Sequence, residues 1–210
     1  MKISPLLDLY SNNESEAKQI FGMTIACSEG IASNKKSPFI MDLSAIPKLL
    51  VAGKGANALL TEFIAVTEEL FTCSFAENGA YISQIMADQY LLVGDPTGQD
   101  FGPIFNRLRH NDPEVLVLPY ESAEILIYDP EIWKNLSGLV TFDTKLLSQT
   151  ALSSVRIATV DVYALLSRAP SQHLRITCSP ADAHFLTKTI SECLGETNDV
   201  LVGFDSNIKL

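Results

Sequence analysis

Four times along these 210 residues, a short apolar run ends in a tight corner and leads into a helix-like stretch. The first unit is Lys48-Leu-Leu-Val-Ala-Gly53-Lys54-Gly55-Ala-Asn-Ala-Leu-Leu60, and the second is Tyr90-Leu-Leu-Val-Gly-Asp95-Pro96-Thr-Gly98 leading into residues 99–108. The third, Glu124-Ile-Leu-Ile-Tyr-Asp129-Pro130, opens residues 131–136, and the fourth, Leu174-Arg-Ile-Thr-Cys-Ser179-Pro180, opens residues 181–194. An Asp-Pro or Ser-Pro corner has a physical logic. The short polar side chain accepts from the next backbone N–H groups, and the proline arrives with its φ already helical. In the first unit the two glycines are expected to do the same job through their conformational freedom.

Between the corners, residues 21–27, 39–43, 80–85, 115–118, 155–157 and 160–166 read as further strands, with a polar loop over 30–37. The first corner predicts a helix over 56–71, with Leu59, Leu60, Phe63, Ile64 and Val66 on one face and Glu62, Thr67, Glu68 and Glu69 largely opposite. Strands alternating with one-sided helices, some through hairpin-length links, predict an α+β fold with helices on one face of mostly antiparallel sheets. Two similar halves, residues 1–111 and 112–210, are expected to make up one domain.

The chemistry open to such a chain is narrowed by its charge. Twenty-five acids against 15 bases give a net charge of −10, spread along the chain, which repels nucleic acid and anionic membranes as partners. No apolar run approaches the ~20 residues needed to span a bilayer. The 47% hydrophobic content and mean hydropathy of +0.17 lie at the apolar end for a soluble chain, so part of the surface is expected to lie against a partner. Cys27, Cys73, Cys178 and Cys193 are scattered without C-x-x-C spacing or a secretory leader, which predicts free, largely buried thiols in a reducing cytoplasm.

Few residues qualify for a task. Lys54 between two glycines resembles a phosphate loop only in outline, for the G-x-x-x-x-G-K-[ST] and G-x-G-x-x-G patterns are both incomplete; a plain turn with an exposed lysine is the preferred reading. His110, His173 and His184 with the four cysteines lack metal-ligand spacing; Cys178 is expected to be a buried strand thiol and His184 a partly exposed helix residue. No nucleophile elbow is present. Arg168, at the tip that follows 160–166, is the one candidate ligand-binding residue, because a guanidinium there can hold a carboxylate bidentately; an ordinary solvated loop arginine is the alternative. Asp88, Asp129, Asp143 and Asp161 read as turn formers or caps, and Trp133 as a core or interface residue.

The order of these pieces is nevertheless familiar. Asp42-Leu-Ser44, a short gap and then residues 48–60 resemble the "D-L-S, apolar strand, G-x-x-A, L-L" segment of the aminomethyltransferase family, which includes the glycine-cleavage T-protein. Glu124-Ile-Leu-Ile-Tyr-Asp-Pro-Glu-Ile-Trp133 is similar to the matching strand, turn and helix of that family's second half. The short chain, the Ser4-Pro5-Leu6 opening and the ending over 156–194 look more like a small relative, the gamma subunit of heterotetrameric sarcosine oxidase. The resemblance implies a folate-binding-domain-like fold without the terminal barrel of full-length members.

The resemblance also marks what is missing. The hairpin that carries the T-protein's catalytic Asp corresponds to residues 76–85, which contain no Asp; the loop that carries its pterin-holding Glu corresponds to Ser167-Arg-Ala-Pro-Ser-Gln172. The "K-G-C-[FY]-x-G-Q-E" motif of the iron-sulfur-repair branch is absent as well. Without those carboxylates, the groups that would orient a pterin are lacking. The reading that follows is a noncatalytic accessory subunit of a heteromeric flavoenzyme acting on an N-methylated amino acid, partnered by flavoprotein subunits or by itself and carrying no cofactor alone. The alternative is a free-standing tetrahydrofolate-binding or one-carbon transfer protein. A third reading is a borrowed scaffold with an unrelated ligand.

Overall fold

A computed structural model describes residues 2–10, 15–28, 38–62, 64–67, 69–76, 80–95, 114–144, 147, 150–167, 173–195 and 200–205. Along the chain come β1 (Lys2–Ile3), α1 (Leu7–Tyr10), β2 (Glu16–Ile20), β3 (Met23–Cys27), β4 (Phe39–Asp42), β5 (Lys48–Ala52), α2 (Ala56–Thr61), β6 (Cys73–Phe75) and β7 (Tyr81–Met86). They are followed by β8 (Gln89–Val93), β9 (Leu116–Pro119), β10 (Ala123–Tyr128), α3 (Ile132–Asn135), β11 (Ser153–Ile157), β12 (Val160–Ser167), β13 (His173–Cys178), α4 (Pro180–Leu194) and β14 (Leu201–Val202). Two compact units result: residues 1–45, 122–149 and 153–208 form one, and residues 46–121, 150–152 and 209–210 the other.

The first unit is built on a six-stranded sheet of order β11-β12-β13-β10-β4-β14, antiparallel except for the parallel β4–β14 pair. One face of it is apolar by strict alternation. Ala123, Ile125 and Ile127 of β10, Leu174, Ile176 and Cys178 of β13, and Val162, Ala164 and Leu166 of β12 form a core with Ala183, Leu186 and Ile190 of α4. Those three α4 positions recur at helical spacing, so the helix lays one stripe on the sheet. Ser179 caps it, its side chain accepting from Ala181 N at 3.3 Å, with Pro180 in the first turn, as the corner chemistry predicts. At the Asp129 corner the same bond forms in the turn before α3, Asp129 Oδ1 accepting from Glu131 N at 2.9 Å, while the helix's own N-cap, Glu131, makes no side-chain cap bond.

A smaller sheet of order β1-β3-β2 belongs to this unit as well. Beside β3 runs residue 204, whose N–H donates to Ala26 O at 2.7 Å. Gly203 is obligatory at that junction, since a Cβ there would lie 2.7 Å from the Cys27 carbonyl carbon.

The second unit is a five-stranded antiparallel sheet, β6-β7-β8-β5-β9. Leu49, Val51, Ile82, Tyr90 and Leu92 form its core face with Ala56 and Leu60 of α2. Pro119 lies on β9 at the edge of this sheet, where a missing N–H is tolerated.

Three expectations need correction. The helix predicted over 56–71 stops at Thr61 with Glu62 as its C-cap. Ile64 and Val66 still pack on the same core, but from non-helical backbone that Thr67 fixes by bonding Ser74, N–H and hydroxyl alike, at 3.3 and 3.0 Å. Apolar spacing alone fits both conformations. Residues 16–20, for which the sequence predicts no element, form the strand Glu16–Ile20, whose mostly exposed positions hide it from a hydrophobicity pattern. The expected strand over 21–27 begins only at Met23, because Phe21 and Gly22 form the turn of the β2–β3 hairpin with φ of 48° and 81°. The expected helix over 99–108 and loop over 30–37 lie outside the described residues.

Candidate functional site

The other face of the six-stranded sheet is where charge enters the interior. Alternation along β10 puts Glu124, Leu126 and Tyr128 on that face, and along β13 His173, Arg175 and Thr177. Register places Thr177 opposite Glu124 and Leu126 opposite Arg175, so the two charged residues are diagonal neighbours across one antiparallel pair. Their side chains close that diagonal: Arg175 Nε donates to Glu124 Oε1 at 2.7 Å, and Nη2 lies 2.6 Å from the same oxygen. Glu124 is 0% exposed and Arg175 3%. On the flanking strands, Tyr163 and Leu165 of β12 stand opposite Thr177 and Arg175, while the Phe39 ring of β4 stacks on Tyr128 with centroids 5.1 Å apart.

Two full charges placed in a dry sheet are tolerable only as a pair. Taking each from water costs several kcal/mol, and their attraction recovers that only with good geometry and further hydrogen bonds. The arrangement fixes charge in place. Arg175 has its guanidinium committed to a carboxylate supplied by the same chain.

Next to the pair, a second buried polar group explains the Asp42-Leu-Ser44 motif. Asp42 ends β4 with Oδ1 accepting from Ser44 N at 2.8 Å, and Oδ2 accepts from the hydroxyl of Ser4. Ser4 Oγ in turn accepts from Leu6 N at 3.1 Å, and Ser44 Oγ accepts from Glu124 N at 3.2 Å. One carboxylate thus joins the N-terminal segment to β4, and the motif's serine joins it to β10. Tyr10 completes the group, donating weakly to Ile40 O at 3.4 Å; burial, and then the charge of Asp42, push its phenol well above the ordinary value. The motif is architectural.

The residues singled out in the sequence fall as follows. Lys54 is exposed, and Gly53 N donates to Asp88 O at 2.9 Å. Gly53 has φ of 128°, and a Cβ on it would sit 2.0 Å from the carbonyl oxygen of Glu114. A carbonyl packed against the turn is the wrong partner for a phosphate, and the six-residue helix behind it is short, so the corner is a corner. Gly53 uses its conformational freedom, whereas Gly55 has φ −83° and ψ −7°, an ordinary right-handed conformation, which corrects the expectation that both glycines exploit it.

Cys178 is a buried strand thiol and His184 an exposed helix residue. Cys27 and Cys73 are buried too, while Cys193 is exposed. His173 is buried on the polar sheet face. Among the described residues, no three His, Cys, Asp or Glu side chains gather as a metal site. Trp133 packs half-buried against the main core. Asp88 is a turn residue with φ of 54°, whereas Asp161 is no turn former: it sits on β12 and holds Arg156 of β11 at 2.8 Å. Arg168 and His110 lie outside the described residues.

Sequence reasoning missed Glu124 and Arg175. A signal was present, since one charge of each sign interrupts two otherwise apolar strands at positions of the same parity as their other polar residues. Pairing them required knowing that β10 and β13 are neighbours.

No family model matches the chain, and no curated protein matches it in sequence. Solved structures do. The glycine cleavage system aminomethyltransferase T from Bartonella henselae matches with a TM-score of 0.68 at 13% identity, over 96% of this chain and 59% of that one. A chain of heterotetrameric sarcosine oxidase from Corynebacterium sp. U-96, solved in complex with pyrrole 2-carboxylate, matches with a TM-score of 0.65 at 13% identity, over 93% of this chain and 95% of that one. The chain therefore spans about three fifths of the aminomethyltransferase but nearly the whole sarcosine oxidase chain. The fold is that of the T-protein-like aminomethyltransferases, shared with this sarcosine oxidase chain.

Proposed function

We propose that this chain is a noncatalytic, gamma-type accessory subunit of a heteromeric flavoenzyme that oxidises an N-methylated amino acid such as sarcosine. The observation that carries the reading is the near end-to-end match, 93% of one chain on 95% of the other, to a chain of an enzyme that is a heterotetramer. Two further points support it. The Asp and the Glu expected of a folate-using relative are missing from residues 76–85 and 167–172 respectively, and Arg175, buried in the polar sheet face, is bound to the chain's own Glu124. On this reading the partners are flavoprotein subunits in the cytoplasm, and the chain brings no cofactor of its own.

Co-expression with any flavoprotein subunits encoded beside it tests the reading. Stoichiometric co-purification, with bound flavin in the complex and none on the isolated chain, is the expected result. A lone monomer that binds tetrahydrofolate saturably, and loses that binding on Arg168→Ala, would overturn it and leave Arg168 as the contact for the ligand's glutamate tail.

A further inference from the structure

Most strand edges of the two larger sheets are closed by the chain itself. Beside β6, Cys73 N donates to Thr150 O at 2.6 Å and Leu152 N to Phe71 O at 2.7 Å; beside β11, Val140 bridges Ile157; and the chain continuing from β14 pairs at Phe204 with Cys27 of β3. The outer edge of β9 has no such cover among the described residues. We infer that this edge is a docking site for an extended segment of another polypeptide, apolar at alternate positions and basic at its ends, which adds a further strand to the five-stranded sheet.

The backbone decides what kind of group fits. Tyr120 N donates to Lys48 O at 2.9 Å, and with Leu118 opposite Leu50 and Leu116 opposite Ala52 this makes 116, 118 and 120 the positions bonded to β5. Val117 and Pro119 therefore turn their backbone groups outward: Val117 an N–H and a carbonyl without a partner among the described residues, Pro119 a carbonyl alone. The matching occupant is a strand that donates and accepts at Val117 and donates at Pro119. Its side chains come beside Leu116 and Leu118, 55% and 43% exposed, as cross-strand neighbours on one face of the sheet. Charged residues guard the β2 edge, Glu16 and Lys18, but β9 contains none. A second copy of this chain is the weaker fit, since a four-residue edge falls short of the ~1,000 Å² that a stable interface needs and each copy carries a net charge of −10. Acids also bracket the strand in sequence, Asp112 and Glu114 before it and Glu121 after it, with no Lys or Arg between Arg109 and Lys134, so the complement is basic at its ends. The inference does not depend on the proposed function.

The test is an NMR titration of the isotope-labelled full chain with the synthetic peptide Lys-Lys-Val-Thr-Val-Thr-Val-Lys-Lys. Saturable binding is expected, with exchange of the Val117 amide proton slowed by roughly tenfold or more at saturation. Replacing the terminal lysines of the peptide by glutamates should weaken binding by roughly tenfold or more at low salt. N-methylation of its Val and Thr residues, which keeps the side chains and removes the backbone donors, should abolish binding. So should Val117→Pro, which leaves the bonds from β9 to β5 in place; if that variant does not fold, the N-methylated peptide decides alone. No binding of the lysine-ended peptide, binding without slowed exchange at Val117, or equal affinity for the glutamate-ended or N-methylated peptide would each overturn the inference. Dimerisation of the full chain that Val117→Pro abolishes would overturn it too, by making a second copy the occupant.

Discussion

Replacing Arg175 by methionine, which keeps most of the stem and removes the charge, takes the arginine's charge away from the Glu124 carboxylate in a strand pair where Glu124 is 0% exposed. Unit charges about 4 Å apart attract by about 4 kcal/mol at an effective dielectric of about 20, and that term vanishes while the carboxylate's desolvation remains. Loss of one partner of a buried pair is therefore expected to cost about 3–5 kcal/mol. This is a large share of a domain stability of about 5–15 kcal/mol. Replacing both residues, as in Glu124→Leu/Arg175→Met, removes the penalty with the attraction, and the double variant is expected to lie within about 1–2 kcal/mol of the parent or above it. Urea unfolding of all four proteins, with the slope m checked for constancy, gives the coupling directly. The two single losses should each exceed that of the double variant. Single variants that lose under about 1 kcal/mol and add up in the double would refute the reasoning, because the pair would then be behaving as a solvated surface contact.

Three other perturbations separate the parts of the account. At the first corner, Gly53→Ala drives a methyl into the Glu114 carbonyl and is expected to lose well over 1 kcal/mol in urea unfolding; Gly55→Ala should be tolerated, and Lys54→Ala should stay within about 0.5 kcal/mol. Thr187 points a fully buried hydroxyl into the α4 packing with no hydrogen-bond partner among the described residues, so Thr187→Val is expected to gain about 1 kcal/mol in the same assay. The hydrogen bond and charge of Arg156 hold the exposed Asp161 carboxyl below its ordinary value. Its small stabilising contribution is therefore present at neutral pH and lost as pH falls through the lowered value, and carboxyl NMR titration should show the midpoint rise on Arg156→Met.

What the sequence revealed depended on whether the governing interaction was local. The Ser179-Pro180 and Asp129-Pro130 corners were legible because a cap or turn bond is decided within three residues, and strands such as Ala123–Tyr128 because a short apolar run ahead of such a corner is visible in one segment. The helix after Gly55 was overextended because Ile64 and Val66 satisfy helical spacing while reaching the same core from non-helical backbone. Glu16–Ile20 escaped because its positions are mostly exposed, and with it the β2–β3 hairpin, whose positive-φ turn is Phe21-Gly22 without the usual Asn-Gly. The polar sheet face was illegible for a different reason. Glu124 and Arg175 meet only through the strand order β13-β10, a long-range fact that no local pattern contains. Asp42-Leu-Ser44 was noticed as a family likeness, and only the bonds to Ser4 and Glu124 N give it a physical meaning.

The central proposal, that a T-protein-like scaffold serves assembly and not catalysis, is tested most directly by the mass and flavin content of the species that forms when the chain is co-expressed with any flavoprotein subunits encoded beside it. The account predicts a stoichiometric complex that carries flavin and retains this chain through size exclusion, with no tetrahydrofolate bound by the chain alone. A chain that elutes as a free monomer beside an intact flavoenzyme, and binds tetrahydrofolate saturably by itself, would contradict it.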